Sequence, residues 1–336
     1  MSFELSDSSL ARIQELVRLQ HNDALLAEVS ELHPADIALV LDRVDLDEAR
    51  YIFDLLEAET AAEVITELPE DRRDALLGTL SAEEIAEEVI ERLDSDDAAD
   101  VIAELPDAMQ QEVLANLDDG ALKDEITELL SYAENTAGGL MAKELVKVNV
   151  SASMLDCVRE LRKHGEDIEN VYQVHVVDDH GKLVGAIPLK KLITESLRTP
   201  VKELYDPDTV AVKADTDVEE VARLMEKYNL AVMPVVDDRL RLVGRITFDD
   251  VMDSVRKEET EDAQKMGGME ALEYSYSNSS LWEMVKARTG WLVILLLGEG
   301  FTATAMSYFE DEIAKAVVLA LFVPMIISSG GNTGSQ

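Results

Sequence analysis

The sequence predicts a multidomain α and α/β membrane protein. Its parts are an all-α superhelical amino-terminal domain, a tandem α/β pair, a linker helix and the start of an α-helical transmembrane domain. Three observations carry this reading. Short amphipathic runs, punctuated by Pro34, Pro69 and Pro106, fill the first third and recur at a fixed spacing. Two copies of a β-type hairpin, each preceded by an amphipathic helical run, occupy the middle. Two long apolar runs close a chain in which 30% of residues are charged.

In the first third, Ala62-Glu63-Val64-Ile65-Thr66-Glu67-Leu68-Pro69 returns as Ala99-Asp100-Val101-Ile102-Ala103-Glu104-Leu105-Pro106, 37 positions later. His33-Pro34-Ala35-Asp36-Ile37-Ala38 reads as an earlier, degenerate copy. Helices repeated at such a period bury their apolar faces against neighbours and stack into a superhelix, here assigned to residues 1–132. The net charge is −40, and residues 1–130 alone hold 36 Asp and Glu against 8 Lys and Arg. That balance excludes a general affinity for nucleic acid, because phosphate binding needs Lys and Arg. Oxygen-rich acidic surfaces suit hard divalent cations, although a salt-adapted or merely very soluble protein would look similar. The single cysteine, Cys157, excludes an intrachain disulfide and a cysteine-built zinc site, and its neighbours Leu155, Val158 and Leu161 make it a packed residue. Glu4, Asp7, Arg12 and Glu15 interrupt any apolar core in the first 25 residues, so they read as no secretory signal and the amino-terminal body is expected in the cytoplasm.

In the middle third, Val174-His175-Val176-Val177-Asp178-Asp179 and Val232-Met233-Pro234-Val235-Val236-Asp237-Asp238 are β-type runs ended by turn carboxylates. Each returns as a second strand, Lys182–Ile187 and Arg241–Ile246, and helical runs precede them at Met154–Lys163 and Val218–Tyr228. These copies resemble a pair of CBS domains over residues 137–254, divided as 137–197 and 198–254. Such pairs dock together, commonly hold a regulatory ligand in their cleft, and occur on enzymes, channels and transporters alike.

Residues 255–288 are charged and helical without a core pattern, with a break expected at Gly267-Gly268. Trp291–Met306 and Ile313–Ser328 follow as apolar runs, near the short end of the ~17–25 residues that span a bilayer. Flanking Thr289-Gly290 and Ser307-Tyr308-Phe309 lengthen the first. Lys286 and Arg288 before it, against Glu310-Asp311-Glu312 after it, put its amino-terminal side in the cytoplasm. Glu299 inside that run is expected to face protein or water; two buried helices of a soluble protein are the plainer alternative.

The carboxylates have bland readings of their own. Asp96 and Asp100 share one helical face, and no Lys or Arg lies between Leu93 and Gln111; a solvated acidic helix would read the same way. Glu258, Glu261 and Asp262 form a stripe on the linker, with Arg256, Lys257 and Lys265 near enough to pair. Thr216-Asp217-Val218-Glu219 is a capping box with Thr216 as N-cap, and Thr247-Phe248-Asp249-Asp250 reads as another helix start. His21, His33, His164, His175 and His180 are scattered and form no nucleophile–base pair, so the chain is not expected to be an enzyme.

The order of these parts, with His33-Pro34-Ala35-Asp36, Ala137-Gly138-Gly139-Leu140-Met141, Thr216–Met225, Trp291–Leu295 and Gly330-Gly331-Asn332-Thr333-Gly334, resembles the MgtE-type magnesium channels, also described as transporters, along essentially the whole chain. Ser335 stands where that family usually has Asn. The resemblance implies a homodimer in the lipid of the cell inner or plasma membrane, multi-pass, with cytoplasmic amino-terminal domains, five membrane helices per chain, and a sequence that stops inside the second of them. It implies Mg²⁺ as both transported and regulatory ion, closing the pore when abundant. Residues 255–288 then become a plug helix, and 289–336 hold the first membrane helix and part of the second. The positions matching the family's metal contacts are Glu63, Asp96, Asp100, Gly139, Asp217, Glu219, Glu226, Asn229, Asp250, Glu258, Glu261 and Asp262. Gly139 and Glu226 would offer main-chain oxygens, and Asn229 replaces the usual aspartate with an uncharged amide. Asn332 is the pore-lining candidate. Gly244-x-x-Thr247-x-x-Asp250 resembles the ribose-binding string of adenosine-binding CBS domains and admits ATP, whereas Gly185-x-x-Pro188-x-x-Lys191 lacks its polar groups. A nucleotide-sensing CBS module on a different transporter is the alternative.

Overall fold

The structure is a computed structural model describing residues 5–164, 168, 170–266, 281–310, 322, 325–326, 328–331 and 334. It divides into two compact units, Met1–Glu259 and Thr260–Gln336.

The first unit opens with a succession of short helices: α1 (Asp7–Arg18), α2 (Asn22–Val29), α3 (Pro34–Arg43), α4 (Leu46–Phe53), α5 (Ala58–Glu67), α6 (Glu70–Leu77), α7 (Ala82–Glu84), α8 (Ser95–Glu104), α9 (Asp107–Asn116) and α10 (Gly120–Leu129). The 37-residue repeat has a physical meaning here. Ala61, Ala62, Val64, Ile65 and Leu68 are buried, and so are their counterparts Ala98, Ala99, Val101, Ile102 and Leu105. Both α5 and α8 end at an extended leucine, after which Pro69 or Pro106 caps the next helix. A proline can begin a helix but cannot continue one, so each copy turns at the same place. His33 plays the equivalent part for α3, accepting the Ala35 amide at its Nδ1 (3.3 Å). α3 packs on α5 and α8 on α10, so each helix buries its apolar stripe against another. Phe53 anchors this core at 2% exposure; Phe53→Ala is expected to lower unfolding stability by about 3–5 kcal/mol, read from the midpoint shift in denaturant.

Two α/β repeats follow. β1 (Lys147–Asn149) pairs parallel with β2 (Gln173–Val177), which pairs antiparallel with β3 (Leu183–Pro188). β4 (Val212–Lys213), β5 (Val232–Val236) and β6 (Leu242–Thr247) repeat that order. Both hairpins carry a register shift at the same point, Val176/Val177 and Val235/Val236. α11 (Met154–His164) and α12 (Leu189–Thr194) belong to the first copy, α13 (Val218–Tyr228) and the start of α14 (Phe248–Met266) to the second. The hairpin tips pair with each other: the Leu183 amide donates to the Leu240 carbonyl (3.0 Å) and the Leu242 amide to the Gly181 carbonyl (3.1 Å). Cys157 is fully buried on α11, as its apolar neighbours require, and burial pushes its thiol up to about 11.

The helix bearing the acidic stripe begins at Phe248, inside the second α/β copy, and runs unbroken to Met266; its first turns are part of the sheet's packing rather than of a separate linker. The expected break at Gly267-Gly268 lies outside the described residues. In the second unit, α15 (Leu281–Tyr308) contains Arg288–Tyr308, a 21-residue stretch long and apolar enough to cross a membrane. Most of the second apolar run, and Asn332, lie outside the described residues.

Candidate metal centre at the seam of the helical module and the CBS pair

The amino-terminal end of α8 meets the segment that leads from α10 into β1. Asp94 is the N-cap of α8, and Asp96 and Asp97 stand in its first turn, where a helix dipole favours negative charge. Ser95 is fully buried: its amide and hydroxyl both donate to the Glu144 carboxylate (3.1 and 2.8 Å), and its oxygen accepts the Lys143 amide (2.9 Å). Asp94, Asp96 and Glu144 therefore converge, each offering a carboxylate oxygen within 4.8 Å of the others. An oxygen-only donor set of this charge suits Mg²⁺ or Ca²⁺ and not a soft transition metal.

The surrounding charges and burial bear directly on the ionisation of these carboxyls. Burial, then Asp97, Asp250, Asp94 and Glu144, hold the Asp96 carboxyl well above the usual carboxylate range. Burial, with Asp250, Asp100 and Asp94 beside it, raises Asp97 to about 7. Asp100 is raised to about 6 by burial and by Glu134 and Glu104, against relief from Arg73 and Lys257. The last is a balance of unequal parts. Arg73 is already committed to Glu104, and Lys257 to Glu134 at 3.0 Å. Asp250 is also raised, chiefly by burial.

Of the positions matched in sequence, the structure thus gathers Asp96, Asp100 and Asp250 into one electrostatic neighbourhood. Glu63 is exposed on α5 and is not among the charges acting most strongly on that group. Gly139 sits in the turn after α10, where a side chain would collide with the Ala133 carbonyl at 2.6 Å. The N-cap of α13 is Asp217 rather than Thr216: Asp217 accepts the Glu219 amide (2.9 Å), while the Thr216 carbonyl is taken by the Ala137 amide (2.7 Å). Glu219 lies in the turn that follows. Asn229 ends α13 with φ 53° and ψ 52°, a left-handed conformation that asparagine tolerates well, and its amide donates to the Glu226 carbonyl (3.2 Å). The amide thus has a backbone reason to replace aspartate. Glu258 and Asp262 lie on α14 beyond the sheet; nothing is described of the Glu261 side chain.

At the start of α14, the Thr247 amide donates to Asp250 Oδ2 (3.2 Å) and the Thr247 hydroxyl donates to the same oxygen. That is the expected helix cap. Gly244 of the ribose-type string is closely approached, with Met141 Sδ 2.7 Å from where a side chain would begin.

Sequence reasoning missed Asp94, Asp97, Glu134, Glu144 and Arg245. Arg245 reads as an ordinary β6 residue, yet it is 5% exposed and reaches Asp94. Glu144 belongs to no periodic run, and only the tertiary contact reveals it.

Two docked α/β repeats and an acidic all-helical module define a CBS-pair protein with an added helical domain. Residues 32–135 match the MgtE intracellular N domain, and residues 137–198 and 201–257 match the CBS domain. The chain is 36% identical to the magnesium transporter MgtE of Thermus thermophilus over 325 residues, covering 96% of this chain and 72% of that protein. It is 31% identical to the Bacillus subtilis magnesium transporter MgtE over 62% of this chain and 46% of that one. The structure is similar to the cytosolic domain of the Mg²⁺ channel MgtE in complex with ATP, with 36% identity and a TM-score of 0.69 over 73% of this chain and 99% of the other. The chain belongs to the MgtE magnesium transporter family.

Proposed function

We propose that this chain carries the magnesium-sensing body of a magnesium channel or transporter and the beginning of its membrane domain, working as a homodimer, multi-pass in the cell membrane with its amino-terminal domains in the cytoplasm. The observation that carries the sensing role is the crowding of Asp96, Asp97, Asp100 and Asp250 beside the Asp94–Glu144 corner, at the seam between modules. Two like charges ~4 Å apart repel by roughly 4 kcal/mol at an effective dielectric near 20. Several such pairs exceed the ~5.5 kcal/mol that swings a two-state gate from almost shut to almost open. A hydrated Mg²⁺ shared by these faces removes the repulsion and draws the modules together, with Glu258, Glu261 and Asp262 of α14 and the Asp217, Glu219, Glu226, Asn229 edge as further contacts. Abundant Mg²⁺ then favours the compact, closed form, which by reciprocity binds the ion more tightly.

ATP is a second ligand of the CBS pair in this reading, supported by the ATP complex of the related cytosolic domain. Calorimetry of the chain in detergent, with MgCl₂ and with ATP separately, tests the assignment alongside brief proteolysis. Multi-site Mg²⁺ binding with protection of the seam is the expected result. ATP binding with no magnesium-driven protection would transfer the chain to the nucleotide-sensing alternative.

A further inference from the structure

The sequence holds no base within the acidic stretch of α8, and in the proposed function Mg²⁺ is the ion that bridges the seam. The structure places a covalently tethered cation there as well. Arg245 is the one charged residue of β6 and is 5% exposed. Its backbone is fixed on both sides of the seam's entry: the Ala142 amide donates to the Arg245 carbonyl (2.8 Å) and the Arg245 amide to the Ala142 carbonyl (2.9 Å). Its Nε donates to the Glu144 carbonyl and its Nη2 reaches Asp94 Oδ2 at 3.5 Å. The carboxylate of Glu144 in turn accepts both Ser95 donors, and the Ser95 oxygen accepts the Lys143 amide. Arg245, Glu144, Ser95 and Asp94 thus close a ring that joins the second CBS repeat, the connecting segment and the first turn of α8. Next to it, Lys143 Nζ pairs with Glu128 Oε1 of α10 at 2.7 Å, with the lysine side chain 9% exposed.

Two of the three guanidinium nitrogens, Nε and Nη2, have oxygen partners, while the buried Nη1 has none among the described residues, and unpairing a buried charge is costly. We infer that Arg245 is an internal substitute for a divalent cation: it holds the α8 corner of the helical module on the CBS pair without metal, so that Mg²⁺ controls only the remainder of the seam, from Asp96 through Asp100 and Asp250 to α14. The helical module then moves about a fixed corner instead of detaching, and fewer ions complete its closure. This inference rests on the magnesium-sensing reading. It extends that reading by dividing one acidic interface into a permanent half and a switched half.

The division has a signature that mere loss of structure lacks. Removing the guanidinium takes away the cation that reaches Asp94 at the corner it shares with Asp96 and Glu144, a set that Mg²⁺ can then bridge. Hydrogen exchange of the whole chain in detergent, read by mass spectrometry on peptides containing the Ser95 and Lys143 amides, tests it in EDTA and in millimolar MgCl₂. In the wild type these amides are expected to stay protected in both media. In Arg245→Gln they are expected to exchange about tenfold faster in EDTA and to recover in MgCl₂, with Arg245→Lys intermediate. Asp94→Asn, which unpairs the ring from the opposite side, should also exchange faster in EDTA; unchanged protection in peptides of α3 and α5 shows that each variant is folded. Wild-type amides that lose protection in EDTA, or an Arg245→Gln chain indistinguishable from wild type, would overturn the latch. Failure of the sensing reading looks different: no peptide anywhere, including those of α8 beyond Asp96 and of α14, would then respond to MgCl₂.

Discussion

Asp96→Asn, Asp100→Asn and Asp250→Asn combined are expected to abolish the magnesium response of the helical module. Two effects of these changes compete. The amides lose ligand charge for Mg²⁺, which opposes closure, and they lose mutual repulsion, which favours it. The second effect is the larger, because the three carboxyls stand above their ordinary titration range: burial first, and then neighbouring carboxylates, disfavour their charged forms, and an amide relieves both. The positive partners of the seam remain: Arg245 on Asp94, Lys143 on Glu128 and Lys257 on Glu134. The triple variant should therefore be closed in EDTA and stay closed in MgCl₂. Its proteolytic half-life should be flat across the titration at the wild type's high-magnesium value. A half-life that still lengthens severalfold with MgCl₂, as in the wild type, would show that other carboxylates hold the ion. A flat half-life at the low value would instead mean that the bridge, and not the repulsion, governs closure.

How much of this was legible in the sequence depends on the range of the interaction. The helical repeat was legible because proline spacing and apolar period are local: the copies at Ala62–Pro69 and Ala99–Pro106 share burial position by position. The hairpins were legible for the same reason, since each strand and its return lie close in sequence. Asp96, Asp100 and Asp250 could be named from the family resemblance, but their common neighbourhood could not. Capping chemistry was legible as a class and misplaced by one residue at α13, because Thr216 and Asp217 are both good caps and only the bond from the Glu219 amide to the Asp217 side chain decides between them. Arg245 could not be found at all. In sequence it is one cation in a strand, while its partners Asp94 and Glu144 lie 151 and 101 residues away.

Acid is expected to do part of the work of magnesium. At the seam, burial and neighbouring carboxylates raise Asp97 to about 7 and Asp100 to about 6, against 3.8 for an ordinary aspartate, and the closed form is the one that keeps those neighbours together. The charges facing them are Asp94, Asp250, Glu134 and Glu104, opposed by Arg73 and Lys257. Between pH 3.8 and these raised values the closed form holds protons that the open form has released, so closure weakens as pH rises. The stabilisation is fully present below the ordinary aspartate value and is lost once pH passes about 7. Both side chains are exposed to solvent, so screening by water holds the effect well below what burial would give. Magnesium has the opposite dependence, since it binds ionised carboxylates and must displace those protons. In EDTA, protease protection of the seam should therefore rise as the buffer is taken from about pH 8 to about pH 6, while the added protection from MgCl₂ shrinks over the same interval. Asp97→Asn with Asp100→Asn should flatten the acid-driven rise, because no proton remains to be taken up there. Protection that falls on acidification in EDTA would contradict the sign of both shifts, and a rise that survives the double substitution would assign the protons to Asp96 and Asp250 instead.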